Sequence, residues 1–175
     1  MNLPNTITVV RLFLVPVFVY FAYQGTRTGQ IAAFVTFLVA SLSDSLDGYL
    51  ARKHGIVTKL GEFLDPLADK ILVLAALVVL VEHRAFPVIA ALIVLARELA
   101  VQLLRNRIVS RGGTLPASAI AKAKTVLQII LVSWWLLPLE VGIVHWTLLA
   151  AALVATLWSG AQYFVVYNQA KGATP

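Results

Sequence analysis

The sequence predicts an all-α polytopic membrane protein with six transmembrane helices, and three observations predict it. Of the 175 residues, 60% are apolar and 13% are charged, whereas soluble domains carry roughly 45–50% apolar and about 25% charged residues. The mean hydropathy is +0.88. The apolar runs are continuous, as in residues 71–81, which excludes the alternating pattern of a membrane β-barrel.

Six apolar stretches divide the chain, and they cover residues 4–24, 30–52, 61–82, 86–107, 118–138 and 146–168. Each is close to the roughly 20 residues that a helix needs to cross the hydrocarbon layer. Short polar segments separate the stretches, and no internal repeat interrupts them. We therefore expect residues 1–175 to form a single six-helix transmembrane domain.

Each stretch has its own features. The first is expected to be a membrane helix rather than a removable signal peptide, because no basic leader or small-residue cleavage site accompanies it. The second and third stretches are joined by residues 53–60. Both carry acidic residues near the ends that this segment joins. The fourth contains Arg97 and Glu98, which point to different helix faces and so are each expected to need another partner. The tryptophans of the fifth and sixth are expected at membrane interfaces or helix contacts.

The basic residues predict the orientation. Lysine and arginine are concentrated between the second and third stretches and between the fourth and fifth, whereas the opposite side offers only Arg27 and Arg84. This bias predicts cytoplasmic termini and cytoplasmic basic connections. For so short a chain without targeting signals we expect the bacterial inner (cytoplasmic) membrane. The net charge of +6 is then explained by orientation and anionic headgroups, and no nucleic-acid partner is expected.

Acidic residues inside membrane stretches point to the chemistry. The four aspartates of the chain fall within 26 residues, at Asp44, Asp47, Asp65 and Asp69. Together they would cost roughly 10 kcal/mol without compensation. Their spacing places one pair on a single face of each helix, and the short connection makes the helices antiparallel neighbours. Oxygen ligands suit Mg²⁺ or Mn²⁺, and a pair of such ions is typical of displacement at phosphorus.

The neighbouring residues admit two interpretations. Gly48, Ala51 and Gly61 either leave space for a ligand beside the carboxylates or are the small residues that membrane helices use for packing. Arg52 is either a phosphate ligand or a positive-inside anchor. A structural alternative for the aspartates is a set of intramembrane salt bridges, for which the available basic residues are Lys70, Arg97 and Lys124.

The complete pattern resembles the signature of the CDP-alcohol phosphatidyltransferases. It reads Asp44-x-x-Asp47-Gly48-x-x-Ala51-Arg52, then eight residues, then Gly61-x-x-x-Asp65-x-x-x-Asp69. The resemblance implies the six-helix fold of that family, a homodimer, and two divalent cations, Mg²⁺ or Mn²⁺, on the cytoplasmic side. It also implies transfer of the phosphatidyl group of CDP-diacylglycerol to an alcohol, with release of CMP.

The resemblance assigns roles residue by residue. The metal ligands are Asp44, Asp47, Asp65 and Asp69. Asp69 is in addition the general base that takes the proton of the acceptor hydroxyl. The contacts to the CDP group are Gly48, Ala51, Arg52 and Gly61.

A further resemblance is to the members of this family that use glycerol 3-phosphate and give phosphatidylglycerophosphate. The matching segments are residues 2–5 with Thr8 and Arg11, residues 64–70, Arg97-Glu98, and Lys122-x-Lys124-Thr125 with Gln128. One departure is Ser43, where threonine is more usual.

The residues supply an independent reason for this acceptor. Glycerol 3-phosphate is a dianion near neutral pH, and binding it beside carboxylates requires cations, for which Arg105, Lys122 and Lys124 are candidates. Alternatively, all three are only positive-inside residues. Other acceptors are phosphatidylglycerol, as in a cardiolipin synthase, inositol phosphate, or serine. A lipid acceptor would not need three cations. A divalent-cation transporter is disfavoured, because the chain has no repeat and its acidic residues lie at one end.

Overall fold

A computed structural model of the chain describes residues 3–54, 59–110 and 119–172. Six α-helices form this part of the chain: α1 (Leu3–Ala22), α2 (Arg27–His54), α3 (Lys59–His83), α4 (Val88–Val109), α5 (Ala119–Leu136) and α6 (Ile143–Gly172). Each helix covers one apolar stretch, with ends that differ from the predicted bounds by one to four residues. The prediction of an all-α protein is confirmed.

The described helices form two compact units. The first contains Met1–Phe86 and Val132–Glu140, and the second contains Pro87–Leu131 and Val141–Pro175. The prediction of a single domain stays a prediction. By length and composition alone, one of the described helices is long and apolar enough to cross a membrane, over Ile143–Tyr167 in α6.

In the first unit, α1, α2 and α3 contact one another. The ring of Phe18 on α1 packs on that of Phe37 on α2, with 5.9 Å between centroids. Several other buried positions of these helices are small, including Ala33 and Ala40 on α2 and Ala76 on α3. Small side chains let helix backbones approach closely, which is how helices pack where lipid offers no hydrophobic driving force.

The start of α2 is encoded locally. Thr26 precedes the helix, and its hydroxyl accepts a hydrogen bond from the backbone N–H of Gly29 at 3.0 Å, so it acts as the N-cap. A Cβ on Gly29 would lie 2.8 Å from the carbonyl oxygen of Phe21. Glycine is therefore required where the end of α1 meets the start of α2.

The second unit is built on the contact between α4 and α6. Its buried positions are also small or only moderately large, and they include Ala90 and Val94 on α4 with Ala152, Thr156 and Ser159 on α6. Thr156 and Ser159 are polar positions in this buried face. Residues 119–131 of α5 belong to this unit as well, so α4, α5 and α6 all contribute to it.

Large apolar side chains also face outward along the described helices. Phe13 is 69% exposed, Ile89 is 73% exposed and Val154 is 66% exposed. Isolated apolar residues are common on soluble proteins, but extensive exposed apolar surface marks contact with another apolar phase or partner. Apolar surface of this kind on α1, α4 and α6 is the pattern expected of helices that face lipid.

Candidate active site

The signature residues fall on the two helices that follow each other in the first unit. Asp44 and Asp47 lie in the last third of α2, and Asp65 and Asp69 lie in the first half of α3. The two helices contact each other. The structure does not describe the side chains of these four residues. What it gives is the position of each residue along its helix.

On α2, the aspartate positions continue the buried row of the helix. Ala33, Phe37 and Ala40 are at most 2% exposed and are separated by four and then three residues. The same alternation leads to positions 44 and 47. Positions repeated at this spacing form one stripe along a helix. Positions 44 and 47 therefore continue the spacing of this buried row on α2.

The register of α3 gives the same result. Leu72, Ala76 and Val79 are also at most 2% exposed, and they are separated by four and then three residues. Read toward the start of the helix, the same alternation leads to Asp69 and Asp65. The four aspartate positions thus continue the spacing of the buried rows on two contacting helices.

Distances along the helices place the acidic positions at similar levels. Asp44 lies ten residues before His54, the last residue of α2, and Asp69 lies ten residues after Lys59, the first residue of α3. At about 1.5 Å per residue, each is about 15 Å from the connected helix ends. Contacting helices joined by so short a connection run antiparallel. Asp44 is then level with Asp69, and Asp47 is nearly level with Asp65.

The chemistry of this donor set fits divalent cations. Carboxylate oxygens are the ligands that Mg²⁺ and Mn²⁺ prefer, and four carboxylates held close together would need positive charge to offset their repulsion. Among the described residues, no three acidic or histidine side chains cluster as a metal site would require.

The residues expected to contact CDP belong to the same two helices. Gly48, Ala51 and Arg52 lie on α2 after the first aspartate pair, and Gly61 lies near the start of α3. Their side chains are likewise outside the described residues. Nearer the described core, the hydroxyl of Ser43 donates to the carbonyl oxygen of Val39 at 2.6 Å. A hydroxyl at this position can bond within its own helix, so serine serves there as threonine would.

The three cations expected to bind the acceptor phosphate have different surroundings. Arg105 near the end of α4 and Lys122 near the start of α5 are exposed. Lys124 is only 4% exposed, and its amino group donates to the carboxylate of Glu98 on α4. Lys124 is therefore held inside the second unit, whereas Arg105 and Lys122 are open to solvent or headgroups.

Glu98 belongs to a network that the sequence did not predict. Besides Lys124, its carboxylate oxygen Oε1 accepts from Nη1 of Arg97 at 3.2 Å. Nη2 of Arg97 donates to the hydroxyl of Ser159 on α6 at 2.8 Å, and the guanidinium lies 5.7 Å from the ring centroid of Tyr163. The expectation that Arg97 and Glu98 each have another partner is right, because Arg97 binds Ser159 and Glu98 binds Lys124. The expectation is incomplete because the guanidinium of Arg97 also donates to Glu98, the next residue in the sequence.

A signal for this network was present in the composition of α4. A carboxylate within an apolar stretch needs a cation close by, and the helices of the second unit offer several. The sequence alone did not reveal which cation would fill that role. Arg97 and Lys124 are both partners of Glu98, whatever else these residues contact.

Comparisons with known proteins give a consistent family assignment. The family model described as CDP-alcohol phosphatidyltransferase matches residues 1–158. The CDP-diacylglycerol–glycerol-3-phosphate 3-phosphatidyltransferase of Bacillus subtilis (strain 168) is 38% identical to this chain, over 93% of each protein. The protein of the same name from Escherichia coli (strain K12) is 36% identical, over 93% of this chain and 92% of its own length.

A solved structure is also similar. The crystal structure of Mycobacterium tuberculosis phosphatidylinositol phosphate synthase in complex with manganese and citrate superimposes with a TM-score of 0.69. The match covers 95% of this chain and 82% of that chain, at 20% sequence identity. At this level of identity, the likeness establishes a shared fold.

Proposed function

Because the chain belongs to the CDP-alcohol phosphatidyltransferase family, we propose that it transfers the phosphatidyl group of CDP-diacylglycerol to glycerol 3-phosphate. The products are phosphatidylglycerophosphate and CMP. The observation that carries the proposal is the complete acidic signature, Asp44, Asp47, Asp65 and Asp69, on two helices that contact each other. The relatives named for this reaction match nearly the whole chain.

The four aspartates are the residues that would hold two divalent cations, Mg²⁺ or Mn²⁺. When bound, such ions neutralise the diphosphate of CDP-diacylglycerol and stabilise CMP as the leaving group. The relative crystallised with manganese supports this choice of metal. Bound cations would also offset the mutual repulsion of these carboxylates.

Asp69 is proposed to act as the general base. Its carboxylate takes the proton of the acceptor hydroxyl as the hydroxyl oxygen forms a bond to the phosphatidyl phosphorus. The bond between that phosphorus and the oxygen of CMP breaks, and CMP leaves. Proton removal by a positioned carboxylate contributes about 10²–10⁴-fold to the rate of such a step.

The remaining signature residues are proposed to hold the nucleotide. Gly48, Ala51 and Gly61 carry little or no side chain, so the CDP group can approach the helix backbones closely. Arg52 supplies a guanidinium that can donate two parallel hydrogen bonds to phosphate oxygens. Residues of this kind bind and orient CDP-diacylglycerol so that its phosphorus meets the acceptor hydroxyl in line.

The acceptor phosphate is proposed to bind Arg105, Lys122 and Lys124. A dianion distinguishes glycerol 3-phosphate from uncharged alcohols, and ammonium and guanidinium groups form the strongest hydrogen bonds to phosphate. Lys124 is the best-ordered candidate of the three, because its amino group is fixed by Glu98. The exposed side chains of Arg105 and Lys122 are free to attract the substrate over a longer range.

The protein is proposed to be integral to the bacterial inner membrane, with six spans and with its active site facing the cytoplasm. The outward-facing apolar side chains of α1, α4 and α6 support contact with the lipid bilayer. The concentration of basic residues around α2–α3 and α4–α5 supports the orientation. A homodimer, which the family resemblance implies, is part of this proposal, and crosslinking in native membranes tests it.

The reaction is tested with purified protein in detergent and labelled CDP-diacylglycerol. Release of CMP is measured with Mg²⁺ or Mn²⁺ and with glycerol 3-phosphate, phosphatidylglycerol or inositol phosphate as separate acceptors. CMP release that requires glycerol 3-phosphate, with formation of phosphatidylglycerophosphate, supports the proposal. If CMP is released only with one of the other acceptors, the proposed acceptor is wrong and the family chemistry still stands.

A further inference from the structure

We propose that Glu98 is a positioning residue for the acceptor site: it holds the ammonium group of Lys124, and Lys124 binds the phosphate of glycerol 3-phosphate. The inference rests on the proposed function, because it takes its acceptor from that reaction. Glu98 itself contacts no substrate in this proposal. It acts entirely through the lysine.

The burial of Lys124 is the first reason. Its side chain is 4% exposed and that of Glu98 is 18% exposed. A buried ammonium group is costly unless a carboxylate compensates its charge. A lysine also has a long flexible stem, so its amino group has no fixed position by itself. The bond to Glu98 therefore keeps Lys124 both charged and in place, which are the two properties that binding a phosphate requires.

The second reason is that Glu98 is itself held in place. Nη1 of Arg97 donates to the same carboxylate oxygen that accepts from Lys124. Arg97 is fixed in turn by Ser159 and by the ring of Tyr163. A Cβ on Gly160 would lie 3.3 Å from Cγ of Arg97, so glycine leaves the space that the arginine stem occupies. The carboxylate thus has a rigid support on α6.

The test compares two variants that break different branches of the network. Glu98→Gln removes the charge that holds Lys124, and we expect the KM for glycerol 3-phosphate to rise about tenfold or more, with the KM for CDP-diacylglycerol unchanged. Ser159→Ala removes the support of Arg97 and leaves the bond between Glu98 and Lys124. It should lower the thermal stability and raise the acceptor KM less than Glu98→Gln does.

Two more variants show whether Glu98 acts through Lys124. Lys124→Gln should raise the acceptor KM, and adding Glu98→Gln to it should raise the KM no further, because the two residues form one functional unit. Glu98→Asp keeps the charge on a shorter side chain and should fall between wild type and Glu98→Gln. If Glu98→Gln does not fold, the acceptor KM of Glu98→Asp tests the inference instead.

The outcomes separate this inference from the proposed function. If Lys124→Gln raises the acceptor KM but neither Glu98 variant does, the inference is wrong and the acceptor assignment stands. Equal rises in both KM values with a loss of stability would show a structural role only, and would also overturn it. A normal KM for glycerol 3-phosphate in Lys124→Gln would overturn this inference, while the proposed reaction of the wild type would stand. Absence of wild-type turnover with glycerol 3-phosphate would overturn the acceptor and this inference together.

Discussion

Arg84 and Trp135 are joined by two reciprocal hydrogen bonds in the first unit. The indole Nε1 of Trp135 donates to the carbonyl oxygen of Arg84 at 2.9 Å, and Nε of Arg84 donates to the carbonyl oxygen of Trp135 at 3.1 Å. The same guanidinium also donates to the carbonyl oxygens of Leu136, at 2.7 Å, and Leu137. Arg84 therefore closes the carboxyl end of α5, where unpaired carbonyls and the helix dipole favour a cation.

Arg84→Gln should reduce the stability of the protein. A shorter neutral side chain cannot supply these bonds, and the loss of charged hydrogen bonds costs about 1.5–3 kcal/mol. We expect a lower Tm in detergent and unchanged KM values. Arg27→Gln is the matched control, because Arg27 is exposed near the end of the first unit where α1 meets α2. An equal decrease in Tm in both variants would show that the change in net charge, and not the loss of the helix cap, lowers the stability.

Asp44→Asn, Asp47→Asn and Asp65→Asn should each nearly abolish activity while the protein still inserts into the membrane. An amide has one oxygen and no charge, so each change removes a metal ligand. Treatment of the wild type with EDTA should have the same effect, and Mg²⁺ or Mn²⁺ should restore activity. Glu140→Gln, at an exposed acid of the first unit, should remain active. Full activity of the wild type in EDTA would exclude the metal proposal.

Asp69→Asn should separate the chemical step from binding. Loss of a general base reduces kcat by about 10²–10⁴-fold, and CDP-diacylglycerol binding should stay within a few fold of wild type. Binding is measured directly with labelled CDP-diacylglycerol, and kcat by CMP release. If binding of the metal or of CDP-diacylglycerol is lost instead, Asp69 is chiefly a ligand and the base must be another group.

Arg105→Gln, Lys122→Gln and Lys124→Gln should each raise the KM for glycerol 3-phosphate. One charge-assisted hydrogen bond is worth about 1.5–3 kcal/mol, which corresponds to roughly ten- to a hundredfold. Lys124→Gln should have the largest effect, because its buried amino group is already ordered. Plain glycerol should be a very poor acceptor for the wild type. Normal acceptor KM values in all three variants would leave these residues as orientation signals only.

The phenol of Tyr23 gives a prediction at alkaline pH. It donates to the carboxylate of Glu82, and this bond raises the pKa of Tyr23 above its ordinary value of 10.0. A raised pKa means that the bond stabilises the fold below pH 10.0 and that this contribution disappears as the pH rises through the higher value in the folded protein. The Tm advantage of wild type over Tyr23→Phe should therefore shrink at high pH. An advantage that does not change with pH would contradict this explanation, and Glu82→Gln should remove it at every pH.

Much of the helical architecture was predictable from the sequence. Apolar stretches separated by short polar segments predicted all six described helices, because a backbone without water must form its hydrogen bonds within the helix. The helix ends were less exact. Helix α6 continues to Gly172, beyond the apolar stretch that ends at residue 168, because helical hydrogen bonds do not depend on side-chain polarity.

The arrangement of the aspartate positions along the two helices was partly predictable. Spacing alone placed Asp44 with Asp47 on one face and Asp65 with Asp69 on another. It did not reveal that these faces extend the buried rows through Phe37 and Leu72. In a chain this apolar, buried and outward-facing positions have similar composition, so hydrophobic periodicity alone does not distinguish the two sides.

The sequence by itself determined the helices, the acidic signature and hence the family, because these depend on residue type and on spacing within single helices. Only the tertiary structure decided which distant groups meet. Glu98 meets Lys124 across 26 positions, Arg84 meets Trp135 across 51, and Arg97 meets Ser159 across 62. Each of these polar groups needed a partner in apolar surroundings, but several were available along the chain. Helix packing brings one of them within hydrogen-bonding distance, and packing is a property of the folded units rather than of any single segment.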